Sequence, residues 1–135
     1  MSLDKLILEA YNDVYCKIAP SDIHGVGVFA VKDIPKNVVI FRSVYDFVKI
    51  NKKFLSRISP NVAKLYKCFF ISDEDNIWIP KSGLNNINIS FYLNHSENPN
   101  VIWSHEYKLF ISKVPILENT ELTVNYKSFG GTIDF

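Results

Sequence analysis

Short apolar runs separated by turn-forming residues recur along the first third of the chain. Residues 14–19 and 26–31 are rich in β-branched and aromatic side chains, and a polar segment from Ser21 to Gly25 joins them. This arrangement predicts two paired strands. A third run, residues 38–50, follows a turn centred on Lys36 and is again rich in Val, Ile and Phe, which predicts one strand or two.

A different period appears in the middle of the chain. Apolar side chains recur there at three- and four-residue steps, which is typical of an amphipathic helix. They are Phe54, Ile58, Val62, Leu65, Tyr66 and Phe69. Because Ser59 followed by Pro60 is a common helix start, residues 52–69 are expected to form a helical insert of two short helices with a break near Ser59.

The second half of the chain returns to strand patterns. Residues 71–80 carry an acidic turn, Asp73 to Asn76, between apolar pairs, which predicts a hairpin. Between Val101 and Ser112 the odd positions are mostly apolar, so a strand or hairpin with its odd positions buried is expected. Residues 121–126 are a last short run with high strand propensity.

Composition limits the class of protein. The 135 residues suit one domain spanning 1–135, and 47% hydrophobic against 21% charged residues favours a folded chain over a disordered one. The net charge of +1 provides no overall field that would attract nucleic acid or an anionic membrane. We therefore expect no direct nucleic-acid binding and no membrane association.

The cysteines and histidines indicate no metal site. Cys16 and Cys68 lie far apart without the spacing of a zinc cluster or a disulfide framework, and His24 and His105 have no partners at ligand spacing. The apolar run near the start is only three residues long, too short for a signal peptide. An intracellular protein, cytoplasmic or nuclear and not secreted, is the expectation.

Three short segments hold most of the polar residues that a hydrophobic core does not need. They are HGVGVF (residues 24–29), FYLNHSENPN (residues 91–100) and ELTVNY (residues 121–126). Each segment alone is common. Their order and spacing resemble the SET-domain family of S-adenosylmethionine-dependent lysine methyltransferases, in which a GxG turn, an Asn-His-Ser motif followed by Pro-Asn, and a terminal Glu-Leu-Thr segment ending in Tyr recur. The resemblance covers about residues 14–129.

The resemblance implies a fold and an activity. The fold would be mainly β with a short helical insert, built of small twisted antiparallel sheets around a C-terminal pseudoknot that brings residues 94–96 beside Tyr126. The activity would be methyl transfer from S-adenosylmethionine to a lysine side chain of a protein or peptide. A histone tail is one candidate substrate, and the carboxylates of residues 73–75 could form the edge of an acidic groove for it.

The resemblance also assigns cofactor contacts. Gly25, Val26 and Gly27 would hold the methionine end, because a backbone without a Cβ can approach a ligand closely. Asn94 and His95 would contact the adenine and amino end through main-chain groups.

Tyr126 would be the catalytic residue and would also contact the cofactor. A free lysine has a pKa of about 10.4, so an apolar channel that disfavours the ammonium form is needed before the amine can react. The Tyr126 hydroxyl would orient that amine. Its own pKa of about 10 makes the role of general base the weaker alternative.

Other residues must close the channel, because the sequence has no cysteine-rich segment of the kind that flanks many family members. Phe129, with Gly130 and Gly131 as a hinge, or Phe135 could fold over the site, and Phe129 is also assigned to the cofactor contacts. The first fifteen residues or a second subunit are alternatives, and the latter would make the protein a homodimer. Trp78 and Trp103 are expected in the core rather than in the channel.

Two rival hypotheses are compatible with the same motifs. A catalytically inactive SET module could bind a partner protein without transferring methyl groups. A generic small β-domain could match the three segments by accident, in which case Asn94 and Tyr126 would lie far apart.

Overall fold

The elements of the fold are mostly short strands. The structure is a computed structural model, and it describes residues 14–43 and 46–133. The strands in these residues are β1 (Cys16–Pro20), β2 (Val26–Ala30), β3 (Val39–Arg42), β4 (Phe47–Asn51), β5 (Asn76–Pro80), β6 (Asn94–His95), β7 (Val101–Ser104), β8 (Leu109–Ser112) and β9 (Glu121–Val124). The helical elements are α1 (Pro60–Phe69) and the 3-10 turns Lys52–Arg57, Leu84–Asn86, Ile89–Tyr92 and Tyr126–Phe129.

Three small sheets organise these strands. The largest has the order β1-β2-β9-β6, in which β6 and β9 are parallel and the other neighbours antiparallel. A second sheet has the order β3-β8-β7, and β4 pairs with β5 in a third. The prediction of a mainly β fold with small sheets is therefore confirmed.

The first hairpin follows the sequence prediction. Strands β1 and β2 pair from Cys16↔Ala30 to Pro20↔Val26, and the connecting turn is closed by the Ser21 N–H donating to the Gly25 carbonyl at 2.9 Å. Gly25 has φ of +48°, in the left-handed region where a residue without a Cβ is least strained. The glycine thus sets the turn that leads directly into β2.

The helical insert also forms as predicted, in two pieces. The 3-10 turn Lys52–Arg57 is followed by α1, which starts with Pro60 at its first position after Ser59. The Ser59 carbonyl accepts the Ala63 N–H at 2.9 Å, while its side chain makes no capping bond. The break at Ser59 is confirmed, and α1 contains no fully buried residue.

The hairpin of residues 101–112 corrects one prediction. It forms as β7 and β8, but the buried positions switch from odd to even across the turn. Trp103 faces Phe110 and Val101 faces Ser112 in the register, because residues directly opposite each other share a face of the sheet. The prediction that odd positions are buried throughout residues 101–112 was wrong, because the turn at residues 105–108 shifts the alternation of buried and exposed positions by one residue.

Two hydrophobic clusters fill the fold. The first lies among the two larger sheets and contains Cys16, Val28, Ala30, Ile34, Ile40, Leu93, Val101, Phe110, Ile116, Leu122 and Val124. The second lies beside β4, β5 and α1 and contains Phe70, Ile77 and Ile79. Aromatic side chains pack against both clusters, among them Tyr126 and Phe129 on the first and Phe69 and Phe91 on the second.

Candidate functional site

Strand β9 brings the three polar segments together. It pairs antiparallel with β2, which begins within the GxG segment, and parallel with the two-residue strand β6 on its other side. The register Asn94↔Thr123 and His95↔Val124 places the end of β6 next to the start of the 3-10 turn Tyr126–Phe129. The hypothesis of three accidental matches, which would separate Asn94 from Tyr126, is therefore wrong.

A polar junction, formed by the side chains of Ser21, Asn94 and Glu121, lies where β2, β6 and β9 meet. The Ser21 hydroxyl lies 2.7 and 2.9 Å from the two carboxylate oxygens of Glu121. The Asn94 amide nitrogen lies 2.8 Å from Glu121 Oε2 and 3.1 Å from Ser21 Oγ. Asn94 is only 6% exposed, so these hydrogen bonds are required to offset its burial.

The two glycines of the GxG turn meet different surroundings. A Cβ on Gly27 would collide with the carboxylate of Glu121 and lie 3.1 Å from Asn94 Nδ2, so this glycine leaves room for the polar junction. A Cβ on Gly25 would have no atom within 4 Å. Gly27 therefore packs against protein, and open space lies over Gly25.

Asn100 holds β9 from the side of β6. Its Nδ2 donates to the Glu121 carbonyl at 2.9 Å, and its Oδ1 accepts from the Thr123 N–H at 2.8 Å. The Asn100 side chain thus forms the same pair of hydrogen bonds to the β9 backbone that a residue of a neighbouring strand would form. The second Asn of the Asn-Pro-Asn motif has this structural role, which the sequence did not reveal.

His95 connects β6 to the backbone of Tyr126. Its Nδ1 accepts the Tyr126 N–H at 3.0 Å, so the neutral ring carries its hydrogen on Nε2 and can donate it to Glu97 at 3.1 Å. The hydrogen bond from His95, together with Lys127, holds the pKa of the exposed Glu97 carboxyl below its usual value. The His95 ring is therefore fixed on both nitrogens.

An aromatic cavity of about 390 Å³ lies between the two hydrophobic clusters. Both Tyr126 and Phe129 line it, and their rings stack with centroids 6.0 Å apart. The other lining residues are Ser43, Phe47, Cys68, Phe69, Phe70, Ile71, Trp78, Ser90, Phe91, Leu93, Trp103, His105, Lys108, Phe110, Gly130 and Ile133. Trp78 and Trp103 are partly buried and line this cavity, and Trp103 also packs against the first hydrophobic cluster, as expected for a core residue.

The Tyr126 hydroxyl is held as a neutral donor. It donates to the Leu93 carbonyl at 2.6 Å. Burial raises the pKa of Tyr126 to about 12, and the charge of Glu121 adds to the rise. The group therefore keeps its proton at every physiological pH, which suits hydrogen bonding and opposes a role as general base.

The segment after Tyr126 crosses from one cluster to the other and closes one side of the cavity. Gly130 has φ of +82° and ends the 3-10 turn, after which Ser72 and Thr132 exchange two backbone hydrogen bonds of 2.9 Å. Phe129 and Gly130 thereby become part of the cavity wall. The other candidates for a lid, Phe135 and the first residues of the chain up to Asp13, lie outside the described residues.

The structure divides the predicted site residues into two groups. Tyr126 and Phe129 line the aromatic cavity, whereas Gly27 and Asn94 belong to the polar junction or its edge, and His95 contacts the Tyr126 backbone. The Gly25 and Val26 backbones flank the junction, where the Val26 carbonyl lies 3.1 Å from Asn94 Nδ2. Leu93 joins the two groups, because it lines the cavity and directly precedes Asn94 of the polar junction.

Two further structural findings concern the chain as a whole. Within residues 14–43 and 46–133, no group of three or more His, Cys, Asp or Glu side chains is placed to hold a metal ion. No helix in the part of the chain that the structure describes is long and apolar enough to span a bilayer.

Comparisons with known proteins agree with this architecture. The sequence model of the SET domain matches residues 25–127. A crystal structure of a presumed histone methyltransferase from Plasmodium falciparum superposes with a TM-score of 0.52 at 19% identity, covering 84% of this chain and 93% of that one. This likeness concerns the fold alone. No curated protein sequence matches the chain significantly.

Proposed function

The chain belongs to the SET-domain family, whose members are generally methyltransferases, and we propose that it transfers methyl groups from S-adenosylmethionine to lysine side chains of a protein substrate. One observation carries the proposal. The Tyr126 hydroxyl, neutral and hydrogen-bonded to the Leu93 carbonyl, lies in the wall of an aromatic cavity next to the polar junction. An acceptor amine and a methyl donor need such a shared, water-poor meeting point.

The cavity wall favours a neutral amine over an ammonium ion. Aromatic and aliphatic side chains dominate its lining, and an apolar environment lowers the pKa of a lysine by disfavouring the charged form. The Tyr126 oxygen and the Leu93 carbonyl provide acceptors that can orient the N–H groups of such an amine. Tyr126 is thus proposed as the orienting residue, and Phe129, stacked on it, restricts the space around the nitrogen.

The polar junction suits a cationic amino group. Asn94 Nδ2 has only two hydrogens, yet four acceptors lie within 3.1 Å: Ser21 Oγ, the carbonyls of His24 and Val26, and Glu121 Oε2. A further donor such as an ammonium group would find acceptors to spare there. We propose that Gly25, Val26, Asn94 and His95 hold the methionine and adenine parts of S-adenosylmethionine, with Glu121 as an additional partner of its amino group.

When bound, S-adenosylmethionine supplies an electrophilic methyl group on a sulfonium. The chain's own residues orient the acceptor, exclude water through the aromatic wall and keep the Tyr126 proton in place. A protein or peptide with an accessible lysine is the proposed substrate, and histones are the first to test because the Plasmodium structure carries that name. The homodimer, the intracellular location and the single domain spanning 1–135 stay predictions.

Methylation with radiolabelled S-adenosylmethionine tests the proposal. The wild-type chain is incubated with histones and with cell-lysate proteins, and labelled products are separated by gel. Tyr126→Phe is expected to keep the fold and cofactor affinity while lowering the methylation rate by roughly a hundredfold, because the oxygen that accepts an N–H of the reacting amine and orients it is lost. Tyr107→Phe, on a ring that is 67% exposed, is the matched control and should leave the rate unchanged.

Calorimetry separates the alternatives. If calorimetry shows that S-adenosylmethionine binds but the methylation assay yields no labelled protein, an inactive SET module that binds partners would be favoured. Absence of heat at high protein concentration would remove the enzyme proposal. Full turnover by the Tyr126→Phe variant would show that the reacting amine is oriented by another group.

A further inference from the structure

The basic residues are distributed very unevenly along the chain. Residues 47–72 contain six basic residues and no acidic one, hence a charge of +6. The remaining residues contain nine basic and fourteen acidic side chains, hence −5. The six basic residues are Lys49, Lys52, Lys53, Arg57, Lys64 and Lys67. The small net charge of the whole chain therefore conceals one strongly basic region, which includes the helical insert.

A concave surface of about 550 Å³ lies within this region, where the 3-10 turn Lys52–Arg57 meets α1. Its lining residues, which we call the basic groove, are Lys52, Leu55, Ser56, Ile58, Pro60, Ala63, Lys64 and Lys67. Pro60, Ala63 and Lys67 recur at three- and four-residue steps on one face of α1. The groove thus combines an aliphatic floor with three lysines.

The charges of the basic groove are balanced at one end only. Lys52 Nζ donates to the Asp73 carbonyl at 3.0 Å, next to the acidic turn of residues 73–75. Hydrogen bonding from the Asn76 N–H lowers the pKa of Asp73, and the charges of Lys49 and Lys52 lower it further. Among the described residues, neither Lys64 nor Lys67 forms an ion pair. Within residues 14–43 and 46–133, no salt bridge therefore balances the positive charge at the α1 end of the groove.

The lining chemistry distinguishes among anionic occupants. Single-stranded nucleic acids stack their bases on aromatic side chains and bind Arg, whereas this groove has neither. A bilayer surface is met by a projecting apolar face, whereas Leu55 and Ala63 lie in a depression. Carboxylates spaced one helical turn apart would match Lys64 and Lys67, and an aliphatic side chain between them would suit the floor.

We propose that the basic groove docks a short acidic segment of a partner protein, with carboxylates on Lys64 and Lys67 and an aliphatic side chain against Ala63. None of the groove residues lines the aromatic cavity. Docking is therefore separate from methyl transfer and can be measured without it.

Fluorescence anisotropy with the full chain tests the proposal. The probe is a labelled helical peptide of Glu and Leu with the Glu side chains one turn apart. Two comparison peptides replace all Leu by Ser or all Glu by Lys. The wild-type chain should bind the Glu-Leu peptide at least about tenfold more tightly than either, because both charge and apolar contact contribute.

Variants locate the binding. Lys64→Glu with Lys67→Glu should weaken binding of the Glu-Leu peptide by at least about tenfold. The control pair Lys36→Glu with Lys113→Glu makes the same change in net charge at exposed positions elsewhere and should change the affinity less than about twofold. Ala63→Gln fills the floor without changing charge and should also weaken binding. Thermal unfolding verifies that each variant is folded.

Several results would overturn the proposal. Equal loss of affinity in the two double variants would indicate binding to overall charge rather than to the groove. Equal affinity for the Glu-Leu peptide and the Leu-to-Ser peptide would show that no apolar contact contributes to binding. Tighter binding of a single-stranded DNA oligonucleotide or of phosphatidylserine vesicles would assign the surface to nucleic acid or membrane instead.

Discussion

The polar junction and the aromatic cavity are neighbours that are held together by different forces. Ser21, Asn94 and Glu121 form the junction through polar contacts of 2.7 to 3.1 Å, in which the hydroxyl and the amide donate to shared acceptors. The rings around Phe129 meet at centroid distances such as 6.0 and 6.1 Å, which many aromatic or aliphatic side chains could provide. The junction therefore depends on residue identity, and the cavity depends mainly on volume.

This difference explains why the sequence motifs mark one region and not the other. A buried amide and carboxylate tolerate few substitutes, because an unpaired group in the interior costs about 1–3 kcal/mol. Phe, Trp or Leu can replace one another in a cavity wall at smaller cost when the surroundings relax. The following substitutions test whether the two regions differ in this way.

The largest effect is expected for Asn94→Asp. It places a second buried carboxylate beside Glu121 and removes the amide donor, which should lower the free energy of unfolding by about 3 kcal/mol at neutral pH. The pKa of the introduced carboxyl should be raised, so stability is retained below its usual value of about 4 and lost as the pH rises through the raised value. Urea unfolding at neutral and mildly acidic pH measures this.

The control for that experiment is Asn98→Asp at an exposed position of the same motif. It should change the unfolding free energy by no more than about 0.5 kcal/mol. Similar losses for the two variants would mean that the junction does not require its amide donor.

A smaller effect is expected for Phe129→Leu in the cavity wall. Because Phe129 borders the open cavity and leucine keeps part of its volume, the variant should lose about 1 kcal/mol of unfolding free energy. Tyr107→Leu, on an exposed ring, serves as the comparison in the same urea titration. A loss at Phe129 as large as that of Asn94→Asp would contradict the distinction between the two regions.

The smallest effect concerns Tyr126, which lines the cavity and whose pKa is influenced by the charge of Glu121 in the polar junction. Its pKa is raised to about 12, so the neutral form stabilises the fold up to pH about 10, and this contribution is lost as the pH approaches about 12. The phenolate absorbance of the chain should show a late titration step that is missing in Tyr126→Phe. An unchanged late step would assign it to another of the seven tyrosines.

Local sequence patterns predicted much of the backbone and little of the cavity. The β1–β2 hairpin and the break at Ser59 depend on neighbouring residues, and both were predicted correctly. The proximity of Asn94 and Tyr126 came only from the family resemblance, because hydrophobic periodicity shows which face is buried and not which element covers it. The pattern therefore indicated that Trp103 is buried, but not that its ring also lines the cavity.

Two other features escaped the sequence for different physical reasons. Glu121 belongs to a recognised motif, yet its partnership with Ser21 joins residues a hundred positions apart, which no local pattern encodes. The basic groove was hidden because the net charge sums over the whole chain, whereas binding depends on the local field.

The central position of strand β9 has a consequence for how the chain folds. Val28 pairs with Leu122 and Asn94 pairs with Thr123, so each pair is far apart in the sequence. Forming the sheet therefore carries the entropic cost of closing long loops. Folds dominated by such distant pairings reach their native state slowly. The β1–β2 hairpin can form early during synthesis, whereas the two-residue strand β6 can gain its parallel partner only after β9 has been synthesised.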